Sequence, residues 1–322
     1  MQLPHLDSVG FTCRDADATA AWFERWLGFR RLDSLQHDGD AYTSLVGLPG
    51  SRLRRLILGI GEERLELSQV LDPGPDARPG RPLPTDSRSN DLWFQHICLV
   101  VRDLQAIAPA IEAQIQAGSL QPISTAPQRL PDWNSAAAGI VAFKFHDPDG
   151  HPLELLQFPP DKGDARWHQP TAATVLGIDH SAIGSSDPQR GARFYGDLLG
   201  LHHGGRGCNS GPEQDRLDGL QDTTVQIDAW RPPQGMGIEA LSYRSPGGGR
   251  PQPVDFGVQD LSHWQLRLDV EDLDGIATRI EACGGRIHSD GIVALGGCLG
   301  EDWRRALQVS DPDGHRLQLV SR

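Results

Sequence analysis

The sequence predicts an α+β protein of four βαβββ modules, arranged as a duplicated pair. Three observations carry that prediction. First, four short, mostly apolar segments each reach an aspartate seven residues after one registered position: Ser8 to Asp15, His96 to Asp103, His180 to Asp187 and Gln265 to Asp272. Second, each segment leads into an amphipathic helical stretch. It is then followed, roughly fifty to sixty residues from its start, by a strand centred on Glu66, Glu154, Glu239 or Gln318. Third, Asp147-Pro148-Asp149-Gly150-His151 recurs as Asp311-Pro312-Asp313-Gly314-His315 and is absent from units one and three. The larger repeat is therefore a duplicated pair of units. Repetition of this kind fixes architecture, because a single unit cannot bury its own apolar face.

The elements follow in order. Unit one opens with a strand over Val9–Cys13. The helix Ala16–Leu27 comes next, with Ala20, Phe23 and Leu27 on one stripe and Gly28 as its stop. Thr43–Val46, Leu53–Ile60 and Arg64–Val70 read as its remaining strands, the first two divided by Pro49-Gly50. The Pro-, Gly- and Ser-rich stretch from Leu71 to Asn90 is a connector. Unit two has a strand over Phe94–Val101, a helix from Leu104 to Ala117, and strands over Val141–His146 and Pro152–Phe158. Its last two strands are joined by the tight turn of Asp147 to Gly150. Unit three runs from Leu176 to Tyr243 with a helix over Gln189–Leu199 stopped by Gly200. Pro246 to Pro253 is a second connector. Unit four runs from His263 to Val320, with a helix over Leu273–Cys283 stopped by Gly284-Gly285. Two domains are expected, 1–160 and 174–322, with 161–173 as the linker between them.

Composition narrows the function. With a net charge of −13 and no basic run longer than two residues, the chain lacks the dense positive surface that phosphate binding needs, so no nucleic-acid partner is expected. Arg52, Arg54 and Arg55 read as the outer face of a strand. The five cysteines show no CxxC spacing, which argues against a thiolate zinc site and for a reducing compartment. The first residues show neither a charged nor an apolar leader pattern, and no apolar run is long enough to span a bilayer. A cytoplasmic protein with no membrane partner is the expectation.

The residues Ile178-Asp179-His180, Asp187, Phe194-Tyr195 and Leu199-Gly200, with Asp147-Pro148-Asp149-Gly150-His151-Pro152-Leu153-Glu154, resemble the vicinal oxygen chelate superfamily. That superfamily includes glyoxalase I, extradiol dioxygenases, methylmalonyl-CoA epimerase and antibiotic-binding resistance proteins. The resemblance covers nearly the whole chain. It implies that two modules form a glyoxalase-like half-open barrel cupped around one metal ion, with ligands on the first and last strands of each module. Carried onto this sequence, the candidate ligands are His96, Glu154, His180 and Glu239, together with Glu66 and Gln265. Ser8 and Gln318 depart from the pattern: a serine is a poor ligand, and a glutamine cannot act as a base. Two imidazoles and two carboxylates suit one divalent Zn, Ni, Fe, Mn or Co ion. Glu154 and Glu239 are the candidate catalytic bases for removing a proton beside two chelating oxygens.

Which modules share a cup decides which site exists. Neighbour pairing gives one cup of Ser8, Glu66, His96 and Glu154, and another of His180, Glu239, Gln265 and Gln318. Pairing of the middle units unites His96, Glu154, His180 and Glu239 and leaves Ser8, Glu66, Gln265 and Gln318 in a cup without a working set. The linker and the duplicated pair favour the first arrangement. The concentration of all three losses in the outer units favours the second.

Other histidines read as structural. His202 and His203 are adjacent on a strand and face opposite ways. His263 reads as a strand-entry residue, and His151 and His315 as turn-facing. The expected function is a metal-dependent lyase or isomerase of glyoxalase type acting on a small molecule, as a monomer or homodimer. An Fe(II) extradiol dioxygenase and a non-catalytic binding protein are the alternatives.

Overall fold

The computed structural model describes residues 4–300 and 302–322. Four βαβββ units are present, and each registered aspartate turns out to be a helix cap. The side chains of Asp15 and Asp103 each accept two backbone N–H groups of the turn that follows, and those of Asp187 and Asp272 accept one each. This satisfies donors that the start of a helix leaves without an intrahelical partner. The fixed distance from the registered position to the aspartate is thus the length of a strand plus one cap.

The strands form two nine-stranded sheets, and the units do not pair as neighbours in sequence. One sheet belongs to units one and four. There His5–Thr12 runs antiparallel to Trp264–Asp269, with Val9 opposite Leu266. The other belongs to units two and three, where Gln95–Val101 runs antiparallel to Val175–Gly184, with Ala182 opposite His96. In each unit the last strand lies parallel to the first: Glu63–Asp72, Pro152–Gln157, Gly237–Ser245 and Arg316–Ser321. The middle-unit pairing is therefore the one adopted. The halves 1–160 and 174–322 do not each close a barrel of their own.

Sequence neighbours meet instead through helices and turns. Trp22 Nε1 donates to Gln114 Oε1 between the helices Ala16–Leu27 and Leu104–Gln116 at 3.0 Å. Arg279 Nη2 donates to the Asp197 carbonyl between units three and four at 3.1 Å. The two Asp-Pro-Asp-Gly-His turns make the matching clamps. Asp149 accepts the Arg14 backbone N–H, and Asp313 accepts that of Ser186. His151 and His315 are buried clamps rather than turn-facing residues. His151 Nε2 lies 2.9 Å from the carbonyls of both Thr12 and Leu261, and His315 Nε2 lies 2.8 Å from that of Gly184. One apolar cluster, containing Phe11, Phe23, Leu99, Phe143, Ile183, Phe194, Leu266 and Leu319, draws on all four units. Sheets pair across the halves and helices pair within them, so the two cups share one core.

Several boundaries shift. Residues expected as a strand at Thr43–Val46 form the helix Ala41–Leu45, because Asp40 caps it by accepting the Tyr42 and Thr43 N–H groups. The strand lies just before it, at Arg30–Asp38, almost fully exposed and without the alternation that marks a half-buried strand. The expected helix over Leu273–Cys283 ends at Ala277 and resumes as one short turn at Glu281–Cys283, while that of unit three widens into a π-helix over Ala192–Leu198. No helix among the described residues is long and apolar enough to cross a membrane.

Candidate metal centre

In the sheet of units two and three, strand register brings four candidate ligands to one concave surface. His96 and His180 stand on adjacent antiparallel strands, two pleats apart, and their ring centroids lie 6.2 Å from each other. Glu154 stands across from Cys98, two residues past His96, and Glu239 stands across from Ala182, two residues past His180. The period of two keeps all four side chains on the same face. His96 Nε2 is 3.0 Å from Glu154 Oε2, while His180 Nε2 is 3.4 Å from Glu239 Oε2 and 4.0 Å from Glu154 Oε2.

The surroundings prepare these groups as ligands. His180 Nδ1 lies 2.8 Å from Asp179 Oδ2, a carboxylate that also receives Arg231 Nη2 at 2.6 Å. Such a partner fixes the tautomer and leaves Nε2 with its lone pair toward the two glutamates. Burial pushes His96 down to about 4, against the pull of Glu154, so its ring is neutral near pH 7. Burial acts against the charge on Glu154, but the Lys144 ammonium, followed by His96 and His180, outweighs it and holds the carboxyl near 2. His180 is moved upward: burial opposes its charge, and Glu239 and Asp179 more than offset that. Lys144 is itself tied to Asp218 Oδ1 at 2.7 Å. Asp218 also receives Gln214 Nε2 and the Tyr243 hydroxyl.

The donor set fits a borderline divalent cation, with two imidazole nitrogens and two ionisable carboxylates. One donor atom from each of His96, Glu154 and His180 lies within 4.8 Å of the others, and the same holds for Asp179, His180 and Glu239. Above them opens a cavity of about 310 Å³ whose wall is largely apolar, with Leu130, Ile140, Leu156, Leu217, Ile227 and Leu241 among its lining residues.

The structure separates Glu66 and Gln265 from this group. Both belong to the other sheet, where Glu66 lies between two buried guanidiniums. Arg55 and Arg267 both donate to it, and Ser8 Oγ donates at 2.8 Å. Gln265 accepts from Gln318 Nε2 at 3.3 Å, and Arg267 Nη2 donates to Gln318 Oε1 at 2.9 Å. A carboxylate held by two arginines has its charge already met, so this cup is closed by protein cations. Arg55, expected on an outer face, is 1% exposed. Arg267 was missed, although Leu266-Arg267-Leu268 places a charge inside an apolar strand two residues after a registered position. Lys144 in Phe143-Lys144-Phe145 carries the same signal. His203 meets Asp228 at 2.9 Å, and His263 is buried beside Thr12; neither joins the cluster.

The comparisons with known proteins agree with this architecture. Residues 5–155 match the model of the Glyoxalase/Bleomycin resistance protein/Dioxygenase superfamily, and residues 180–320 match that of a Glyoxalase-like domain. Glyoxalase I from Zea mays superposes with a TM-score of 0.61 at 14% identity, over 99% of this chain and 92% of that one. A candidate dioxygenase from Bacillus subtilis superposes with a TM-score of 0.54 at 14% identity, over 98% of this chain and 85% of that one. No curated protein sequence matches this one at a significant level. Four modules in register, two cupped sheets and two family matches that between them span most of the chain lead to one statement: this protein belongs to the glyoxalase, bleomycin-resistance and dioxygenase superfamily, the vicinal oxygen chelate fold.

Proposed function

We propose that the chain is a divalent-metal-dependent enzyme of glyoxalase type, with one working site in the cup of units two and three. The observation that carries this reading is the convergence of His96, Glu154, His180 and Glu239 from four strands onto one cavity floor. These four residues would hold the ion. Bound there, a divalent cation supplies charge that stabilises an oxygen becoming negative as a proton leaves the neighbouring carbon.

The protein's own groups divide the remaining work. Glu154 is pinned by His96 and lies in the field of Lys144, which suits a permanent ligand. Glu239 is the more accessible carboxylate, 21% exposed at its side chain against 8% for Glu154, and it faces the cavity. It is the base in this proposal, taking a proton from a carbon beside two chelating oxygens. Asp179 holds His180 in one orientation, and the apolar wall takes the carbon portion of a small substrate while excluding water. Both sheets are completed within one chain, so a monomer has every residue the site needs.

The test is solvent-deuterium exchange into α-hydroxycarbonyl compounds, monitored by NMR, after reconstitution with Zn, Ni, Co, Mn or Fe in turn. Exchange that needs metal and fails in Glu239→Gln supports the proposal; metal-loaded protein that exchanges no compound contradicts it. A second reading is favoured by His96, Glu154 and His180 alone, since two histidines and one carboxylate are the facial set of non-haem iron oxygenases. Anaerobic Fe(II) loading followed by oxygen uptake with catechols identifies that chemistry. A chain that binds these compounds without changing them would be a sequestering protein.

A further inference from the structure

The buried arginines Arg55 and Arg267, and the partly buried Arg231, each lie against a carboxylate. Arg316 does not. Its one side-chain hydrogen bond among the described residues runs from Nη2 to the Phe256 carbonyl at 2.9 Å, and its guanidinium lies over the Phe256 ring at 5.5 Å. Nη1 is buried with no partner. On the adjacent strand Gln308 is 3% exposed, and its Oε1 is also buried without a partner. Buried polar atoms are nearly always satisfied, and a buried cation without a counter-charge is costly, so two orphans at one place require explanation.

Both residues border one cavity of about 460 Å³, together with His263, His288, Phe256 and Val258 and with the loop around Leu48 as a further wall. Gln308 lies opposite Gln318, whose side chain reaches Gln265 and Arg267, and Arg316 is two residues before Gln318. Alternation therefore places the cavity on the concave side of the sheet of units one and four, at the end of the cup whose metal set is lost. None of the four donors of the other cup lines it. Of the acids bordering it, Asp255 is paired with Arg78 and Arg81, as is the neighbouring Asp260, and Asp76 is exposed to solvent. Burial, and then Arg286, hold the Arg316 guanidine down to about 10, which leaves it charged at neutral pH.

We propose that this cavity is a binding site for a small organic carboxylate carrying a short apolar or aromatic tail. The carboxylate receives Arg316 Nη1, where a charge-assisted hydrogen bond meets a charge the fold leaves bare. Gln308, whose amide can present either oxygen or nitrogen, reads a second polar atom of the ligand. The tail packs on Phe256 and Val258. One unpartnered guanidinium nitrogen beside Phe256 and Val258 suits a carboxylate with an apolar tail better than a phosphate dianion. The second cup, with Arg55 and Arg267 on Glu66, thereby gains a separate ligand class.

Phenylacetate titrated calorimetrically into the full chain, stripped of metal with chelator, tests this. The proposal expects saturable binding at one site, weakened at least about tenfold in Arg316→Gln and unchanged in His96→Ala. The neutral analogue phenylacetamide should bind at least about tenfold more weakly to the unaltered chain, a comparison that holds even if Arg316→Gln fails to fold. Absence of phenylacetate binding, equal binding of phenylacetamide, loss in His96→Ala, or displacement by inorganic phosphate at equal concentration would each overturn the proposal.

Discussion

Arg267 donates to both carboxylate oxygens of Glu66, so the cup of units one and four carries a guanidinium at the place where the sheet of units two and three gathers its candidate metal ligands. Arg267 stands opposite Ser8, as Ala182 stands opposite His96, so the two cups differ at matching register positions. One cup has side chains that can share a cation; the other has built cations into its own strands.

Breaking this arrangement from one side should be costly. Truncation in Arg267→Ala leaves Glu66 with Arg55 alone and opens a void in a buried polar cluster. The expected loss is about 3–5 kcal/mol, measured by urea unfolding. Changing all three members, Arg55→Met and Arg267→Met with Glu66→Gln, should recover part of it, because no uncompensated charge then remains. A loss in Arg267→Ala below about 1 kcal/mol would show that Glu66 does not depend on this partner.

The same cluster sets an acid dependence. Burial opposes the charge on Glu66, but Arg267 and Arg55 outweigh it and hold its pKa at about 2, below the ordinary 4.5. A carboxyl lowered on folding contributes stability that is fully present above its unfolded value and is lost as pH falls through its folded one. Part of the acid destabilisation between pH 4.5 and 2 should therefore belong to Glu66. Denaturant midpoints for Glu66→Gln should change less across that window than those of the parent. Parallel profiles would contradict the assignment.

His151 has the opposite sign. Its Nδ1 faces Asp147 Oδ2 at 3.0 Å and its Nε2 faces two carbonyls, so every partner around the ring accepts hydrogen bonds. A ring among acceptors alone holds protons on both nitrogens. Burial opposes that charge, and Asp147 raises the pKa in spite of it. A raised histidine contributes stability present below its unfolded value near 6.5, lost as pH rises through the higher folded value. His151→Ala should cost about 2–4 kcal/mol near pH 6 and less at alkaline pH, with ¹⁵N chemical shifts of the parent ring reporting double protonation. A ring that is neutral at pH 6 would contradict this account.

The fold was legible because strand, cap and helix repeat at fixed distances, and each registered aspartate is needed where it stands to cap a helix. The pairing of units was not legible in the same way. Either arrangement gives every first strand an antiparallel neighbour, and the connectors of residues 71–90 and 246–253 do not dictate which. What did point to it was the set of losses at Ser8, Gln265 and Gln318, all in the outer units, and Arg267 would have strengthened that signal. Arg30–Asp38 was missed because an exposed edge strand has no apolar face to show. Of the six proposed ligands the structure gathers His96, Glu154, His180 and Glu239. Glu66 and Gln265 satisfied the register rule, but register alone does not reveal what stands opposite.

The central claim is that one cup, formed by units two and three, holds the metal ion. The direct measurement is metal stoichiometry by mass spectrometry of chains reconstituted with zinc, nickel or cobalt and passed through a desalting column. The account predicts one ion per chain, lost in His96→Ala and His180→Ala and retained in Glu66→Gln and Gln265→Ala. Retention of the ion in both folded histidine variants, or its loss in Glu66→Gln alone, would contradict it.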